Sequence, residues 1–135
     1  MEKIVQKFGG TSLNTREKRL AVAKQIKQAK DNNKFPIVVV SAMGRKGEPY
    51  ATDTLLNLCT KINENLPARE KDLIMSCGEI ISTVIIVQEL KNYNIKAKAL
   101  TGGQAGILTD SNYNKAKVKK VNPERISHLI NKNIV

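Results

Sequence analysis

The chain has 135 residues, 41% apolar and 26% charged, the balance of a soluble globular domain long enough to bury a core. Twenty-three Lys and Arg against twelve Asp and Glu leave a formal charge of +11, which fits an anionic partner, either nucleic acid or a phosphate-bearing small molecule. Five scattered aromatics with no zinc-finger or ribonucleoprotein motif argue against nucleic acid, the single His128 excludes a multi-histidine metal centre, and the longest apolar stretch, Leu73–Val87, is broken by Gly78, Glu79 and Ser82 and is short for a membrane span.

The lysines are spread along the chain, so a solvated basic surface accounts for the charge as well as a binding face does. Lys3–Phe8 reads as a strand ended by Gly9 and Gly10. Asn14, with Glu17 three positions on, has capping-box spacing and opens a helix to about Asn32. Leu20, Ala23, Ile26 and Lys27 lie along one flank of it, Val22 and Ala29 widen the apolar stripe, and Arg16, Arg19, Lys24 and Lys30 are expected to face water. Pro36 then opens Ile37–Val40, a continuous β-branched run expected to be a strand buried on both faces. Strand, helix and strand at this spacing form a βαβ unit with parallel strands.

A loop with Gly44, Gly47 and Pro49 covers Ser41–Ala51, and Thr52 or Asp53 caps a helix to about Asn63. Pro67 precedes a longer helix, roughly Ala68–Asn92. Ile95–Thr101 is expected as a strand, Gly102, Gly103 and Gly106 as a second glycine-rich turn, and Val118–Val121 as a short strand. Pro123 starts a further helix, and Ile134–Val135 resembles the beginning of another strand. Cys59 and Cys77 fit neither a CxxC pair nor a disulfide framework and are expected as reduced, buried thiols. Met1 leads within a few residues into a strand rather than an apolar leader, so a cytoplasmic protein is expected.

Five places are candidates for chemistry. Lys7-Phe8-Gly9-Gly10-Thr11-Ser12 joins a strand to a helix: glycines let the backbone approach an anion, N–H groups at the helix start favour phosphate, and Lys7 adds a full positive charge. It matches neither GxxxxGK[ST] nor GxGxxG, and a tight turn with an incidental lysine has the same composition. Ser41-Ala42-Met43-Gly44 follows the second strand, so in a parallel sheet Ser41 and Lys7 fall at the same carboxyl edge, where ligands bind. Glu79 is the only charged residue between Asp72 and Glu89, and a carboxylate in an apolar helix needs a partner, either an ammonium-bearing ligand or a structural cation. Gly78 beside it weakens the helix, which implies a close approach. Thr101–Gly106, at another strand end, serves equally as a ligand loop or a plain turn, and Thr52 with Asp53 is explained by capping alone.

Together and in this order the segments resemble those of aspartate kinases. Val5–Ser12 resembles the family's nucleotide signature, Val38–Gly44 its second strand and turn, Ser76-Cys77-Gly78-Glu79 its (S/T)xGE helix motif, and Thr101–Asp110 its TGxQAGxxT segment. The Arg45–Ala51 loop is longer than in many members and resembles the bacillus and clostridium type of the diaminopimelate branch. The resemblance implies an α/β fold, a three-layer αβα sandwich around a largely parallel sheet (the amino-acid kinase fold). It also implies ATP and L-aspartate as substrates, Mg²⁺ held mainly through the nucleotide phosphates, and 4-phospho-L-aspartate as product. Lys7 would be catalytic; Lys7, Phe8, Gly9, Gly10, Ser12 and Ser41 would bind ATP; Thr52 and Glu79 would bind aspartate; no residue is assigned to metal. The full-length protein would be a homo-oligomer without nucleic-acid or membrane partners. The family's later GRGGSD segment, adenine pocket and C-terminal ACT domains are not in this sequence, so residues 1–135 are expected to be a truncated N-terminal portion of the catalytic domain, inactive alone. A glutamate 5-kinase or acetylglutamate kinase type, and a non-catalytic basic binding module, are the alternatives.

Overall fold

The computed structural model describes residues 2–135. Strand β1, Glu2–Phe8, runs into a single 3-10 turn, Gly10–Ser12, and helix α1 follows over Arg16–Asp31. Thr15 caps α1, its Oγ1 accepting from Lys18 N at 3.3 Å, one position beyond the expected Asn14. Asn14 does not cap: its Oδ1 accepts from Lys18 Nζ at 3.0 Å, and its amide nitrogen donates to Glu48 Oε1 at 2.9 Å, 34 residues away. Val22, Ala23, Ile26 and Ala29 form the buried stripe of α1, the helical spacing seen in the sequence. Asn33, at φ 57°, turns the chain into strand β2, Lys34–Val40, a left-handed position that Asn tolerates.

The two strands pair in parallel from Glu2↔Lys34 to Phe8↔Val40, completing the expected βαβ unit. Side chains alternate across the sheet. Phe8, Val38 and Val40 face a core with Leu13, Ile26, Met43, Ile86 and Leu90. On the opposite face Val5 and Val39 stay 66% and 45% exposed. Burial of β2 on both faces is therefore not met, because α1 and α3 cover the same side of the sheet.

Helix α2 spans Thr52–Thr60 and packs on α3, Ala68–Lys91. Ala51 is the N-cap residue of α2 and makes no side-chain cap bond, so Thr52 is its first residue rather than a cap. By length and composition α3 is apolar enough to cross a membrane, but it also packs on α1 and β2, with Gly78, Ser82, Ile86, Glu89 and Leu90 buried along one stripe. Two cations assigned to the solvent face of α1 are held elsewhere. Arg19 reaches between elements, donating from Nη1 to Leu13 O at 2.9 Å, and its Nε lies 3.7 Å from Glu89 Oε1. Lys30 sits 5.2 Å from the centre of the Phe35 ring and donates to Asn133 Oδ1 at 2.7 Å, its ammonium pKa lowered by burial. Cys59 and Cys77 are free thiols, half-buried rather than buried.

Ile95–Leu100 lacks the ladder expected of a strand. Its one strand-like contact is with Val135, whose N–H donates to Lys96 O at 2.9 Å while its carbonyl accepts from Lys98 N at 2.8 Å. That two-bond pattern is a single parallel bridge about Ala97, too short to register as a strand. Val118–Val121 is a strand as expected, β4, and it pairs antiparallel with an unexpected partner, β3 at Ile107–Thr109. This exposed hairpin is tied back where Asn114 N donates to Asp72 Oδ2 at 2.8 Å. Helix α4, Glu124–Asn131, follows Pro123 and buries Leu129. A cavity of about 410 Å³ separates β2 and α3 from α4 and the Lys98–Gly102 segment.

Candidate active site

The carboxyl ends of β1 and β2 meet. Ser41 N donates to Phe8 O at 3.1 Å, extending the parallel pairing one step past β2. The turn after β1 closes through Ser12 N to Gly9 O at 3.0 Å and Leu13 N to Gly10 O at 3.1 Å. Gly44 N also reaches Gly10 O, at 3.0 Å, so the turn after β2 lies directly on the turn after β1. Only glycine fits at position 10, where a Cβ would stand 2.3 Å from Ala42 O and 3.0 Å from Gly44 O. A Cβ on Gly9 would meet nothing within 4 Å, so this glycine borders open space.

Lys7 is exposed at the end of β1, on the strand face opposite Phe8, and among the described residues its ammonium has no carboxylate partner. Ser12 and Ser41 are half-buried in the two turns. Lys18 donates from Nζ to Thr11 O at 2.9 Å and to Asn14 Oδ1 at 3.0 Å. This second cation beneath the first turn has a faint sequence signal, the i,i+4 spacing of Asn14 and Lys18.

Glu79 is half-buried, and its partner is neither a lysine nor an arginine: Oε1 accepts from Ala42 N at 3.2 Å. The carboxylate therefore anchors the turn after β2 by a charge-assisted bond. The close approach implied by Gly78 comes from the protein itself, since a Cβ there would lie 2.7 Å from Ala42 Cβ and 3.3 Å from both Leu55 Cδ1 and Tyr50 O. That contact brings the start of α2, with half-buried Thr52, beside the Gly78–Glu79 turn of α3. Phe8, Gly10, Gly78 and Glu79 thus all touch the Ser41–Gly44 segment, with Lys7 and Gly9 adjoining Phe8 and Gly10 along the chain and Thr52 two residues past Tyr50, whose carbonyl faces Gly78.

Thr101–Gly106 makes no hydrogen bond to this cluster but faces it across the cavity, which Thr101, Gly102 and Ala105 line together with Val40 and Glu79. It closes on itself, Thr101 N donating to Gln104 Oε1 at 3.1 Å and Gln104 N to Thr101 Oγ1 at 3.2 Å. Sequence reading missed Asn14 and Glu48, which join the two turns from the other side. Glu48 Oε1 takes the Asn14 amide, and the Asn14 bond, followed by the Arg45 backbone N–H, holds the Glu48 carboxyl below the ordinary carboxylate pKa. Among the described residues no group of three His, Cys, Asp or Glu side chains converges as a metal cage.

The chain matches the model of the amino acid kinase family over residues 2–135. Aspartokinase 1 of Bacillus subtilis is 47% identical to it over 130 residues, 96% of this chain and 32% of that protein. An aspartokinase of Thermus thermophilus is 36% identical over 135 residues, all of this chain and 32% of that protein. Among solved structures, an aspartate kinase from Synechocystis superimposes with a TM-score of 0.79 at 34% identity, covering 98% of this chain and 21% of that one. The chain spans about a third of the length of these curated relatives.

Proposed function

The chain belongs to the amino acid kinase family, and from that premise we propose that it supplies the phosphate-binding half of an aspartate kinase active site, as the N-terminal portion of the catalytic domain of a cytoplasmic enzyme. The α/β fold with its parallel pair and the names of the relatives support this reading. The observation that carries it is the meeting of the two turns, Gly44 N on Gly10 O and Ser41 N on Phe8 O, next along the chain to Lys7, whose ammonium has no carboxylate partner among the described residues.

The chemistry asks little of these residues beyond position and charge. An aspartate side-chain carboxylate, with a pKa of about 3.9, is ionised at neutral pH and attacks the γ-phosphate without a general base. Charge on the transferred phosphoryl group is then the main barrier, and positioned cations lower it. Lys7 is placed to do so, while Gly9 and Gly10 with Ser12 and Ser41 offer backbone and hydroxyl contacts to phosphate. Mg²⁺ would be held mainly through the nucleotide phosphates, supplying charge neutralisation there. Glu79 has one carboxylate oxygen committed to Ala42 and one left to meet the substrate ammonium, with Thr52 at the neighbouring helix start.

Titrating the isotope-labelled chain with MgATP tests the reading. Amide shifts confined to Lys7–Ser12 and Ser41–Gly44, abolished by Lys7→Ala, are expected; shifts elsewhere, or none, refute it. An assay of ADP release with aspartate, glutamate or N-acetylglutamate is expected to show no turnover by residues 1–135 alone, and aspartate-dependent turnover would contradict that.

A further inference from the structure

Glu48 is the one carboxylate in the Ser41–Ala51 loop, and Arg45, Lys46, Gly47 and Pro49 around it are all exposed. Met43 and Ala51 anchor the two ends of this loop in the interior, and between them no side chain is buried, so polar bonds must set the path of the stretch that joins them. Glu48 supplies them in three directions. Its Oε1 accepts from Asn14 Nδ2 at 2.9 Å, its Oε2 accepts from the Arg45 backbone N–H, and its carbonyl accepts from Thr54 Oγ1 at 2.6 Å. Its side chain lies over Gly44, where a Cβ would come within 2.8 Å of Glu48 Cβ. Asn14 in turn accepts from Lys18 Nζ at 3.0 Å, and the same ammonium donates to Thr11 O at 2.9 Å. Carboxylate, amide and ammonium therefore run as one chain from the second loop to the first turn.

We propose that Glu48 is a positioning residue: through Asn14 it clamps the Arg45–Tyr50 loop to the Gly9–Asn14 turn, holding Gly44 against Gly10 so that Lys7, Gly9 and Ser41 face a single anion. This rests on the phosphate reading of Lys7–Ser12. Groups that contact ligand need a supporting layer to fix them, and a clamp on two facing turns is such a layer.

The test follows the Gly44 amide, whose N–H is spent on Gly10 O, by hydrogen exchange in Glu48→Ala, Asn14→Ala and the double variant, alongside MgATP titration. Amides of the β1–β2 ladder in the same spectra report whether each variant is folded. Each single variant is expected to speed Gly44 exchange by about tenfold, the loss of one hydrogen bond of ordinary strength, and the double variant by no more than either single one. MgATP binding should weaken in parallel in all three, while Glu48→Gln, which keeps one acceptor oxygen, lies between. Unchanged Gly44 exchange in Glu48→Ala overturns the clamp. Faster exchange with unchanged MgATP affinity overturns the positioning role. If the unsubstituted chain itself fails to bind MgATP, the phosphate reading falls and the positioning role with it, whereas equal affinity in parent and Glu48→Ala removes only the positioning role.

Discussion

Gly9 and Gly10 are neighbours with opposite predicted responses to the same substitution. In Gly10→Ala the new methyl meets Ala42 O at 2.3 Å, Gly44 O at 3.0 Å and Gly44 N at 3.3 Å, all backbone atoms that cannot swing aside. The Ser41–Gly44 turn must move away, stretching the 3.0 Å bond from Gly44 N to Gly10 O. Overpacking costs about 1–3 kcal/mol and a weakened hydrogen bond about 1 kcal/mol, against about 0.4–1 kcal/mol returned by a less flexible unfolded chain. The net is a destabilisation of about 1–3 kcal/mol, or a fall in Tm of about 3–10 °C for a domain of this size. Gly9→Ala meets nothing within 4 Å, and its φ of −77° and ψ of 167° are open to any L-residue. It should leave Tm unchanged or raise it by up to about 3 °C, through the unfolded chain alone. If Gly9 borders the phosphate, the same methyl weakens MgATP binding with no loss of stability. Thermal melts followed by circular dichroism, paired with MgATP titration, separate the two variants. Equal melting shifts for Gly9→Ala and Gly10→Ala would refute the steric argument, and full MgATP affinity in Gly9→Ala would remove Gly9 from the site.

Arg19→Met removes the guanidinium bond to Leu13 O and leaves Glu89, 9% exposed, without its cation; a loss of about 2–4 kcal/mol in urea unfolding is expected, partly recovered by Glu89→Gln. A lowered carboxyl pKa for Glu48, set by Asn14 and the Arg45 N–H with Lys18 and Arg45 as the nearby charges, means the clamp contributes fully above the ordinary carboxylate pKa and is lost as pH falls through the lower folded value. Gly44 exchange, corrected for its intrinsic pH dependence, should therefore accelerate only on acidification below the ordinary carboxylate range, and a midpoint above that range would contradict the assignment. The exposed Val5 and Val39 face and the apolar cavity beside β2 predict self-association: sedimentation coefficients should rise with concentration in the parent and stay flatter in Val39→Lys.

Elements written in local pattern were legible beforehand. The run Ile37–Val40, the Ala23–Ile26 stripe and the Gly9–Gly10 stop encode strand, helix and turn within a few residues, and a βαβ unit has one favoured hand. Where expectation and structure part, the deciding contact is distant in sequence. Asn14 had the spacing to cap α1, but its side chain is held between Glu48 and Lys18, and Thr15 capped instead. Arg19 fell on the polar side of the helical wheel, yet its long stem carries the charge inward to Leu13 O and Glu89. Ile95–Leu100 has strand composition, but a ladder needs a partner strand, and among the described residues only Val135 bridges to it.

By itself, then, the sequence determined the parallel unit, the two turns at its carboxyl edge and the family to which their motifs belong, because these depend on backbone geometry and short-range periodicity. Tertiary structure alone decided that Gly10 rather than Gly9 is the steric contact, that Glu79 anchors Ala42 by its backbone N–H, and that Glu48 joins the two turns through Asn14. Each of these is a hydrogen bond or a close approach between groups far apart along the chain, and no local pattern specifies which distant atom will arrive within 3 Å.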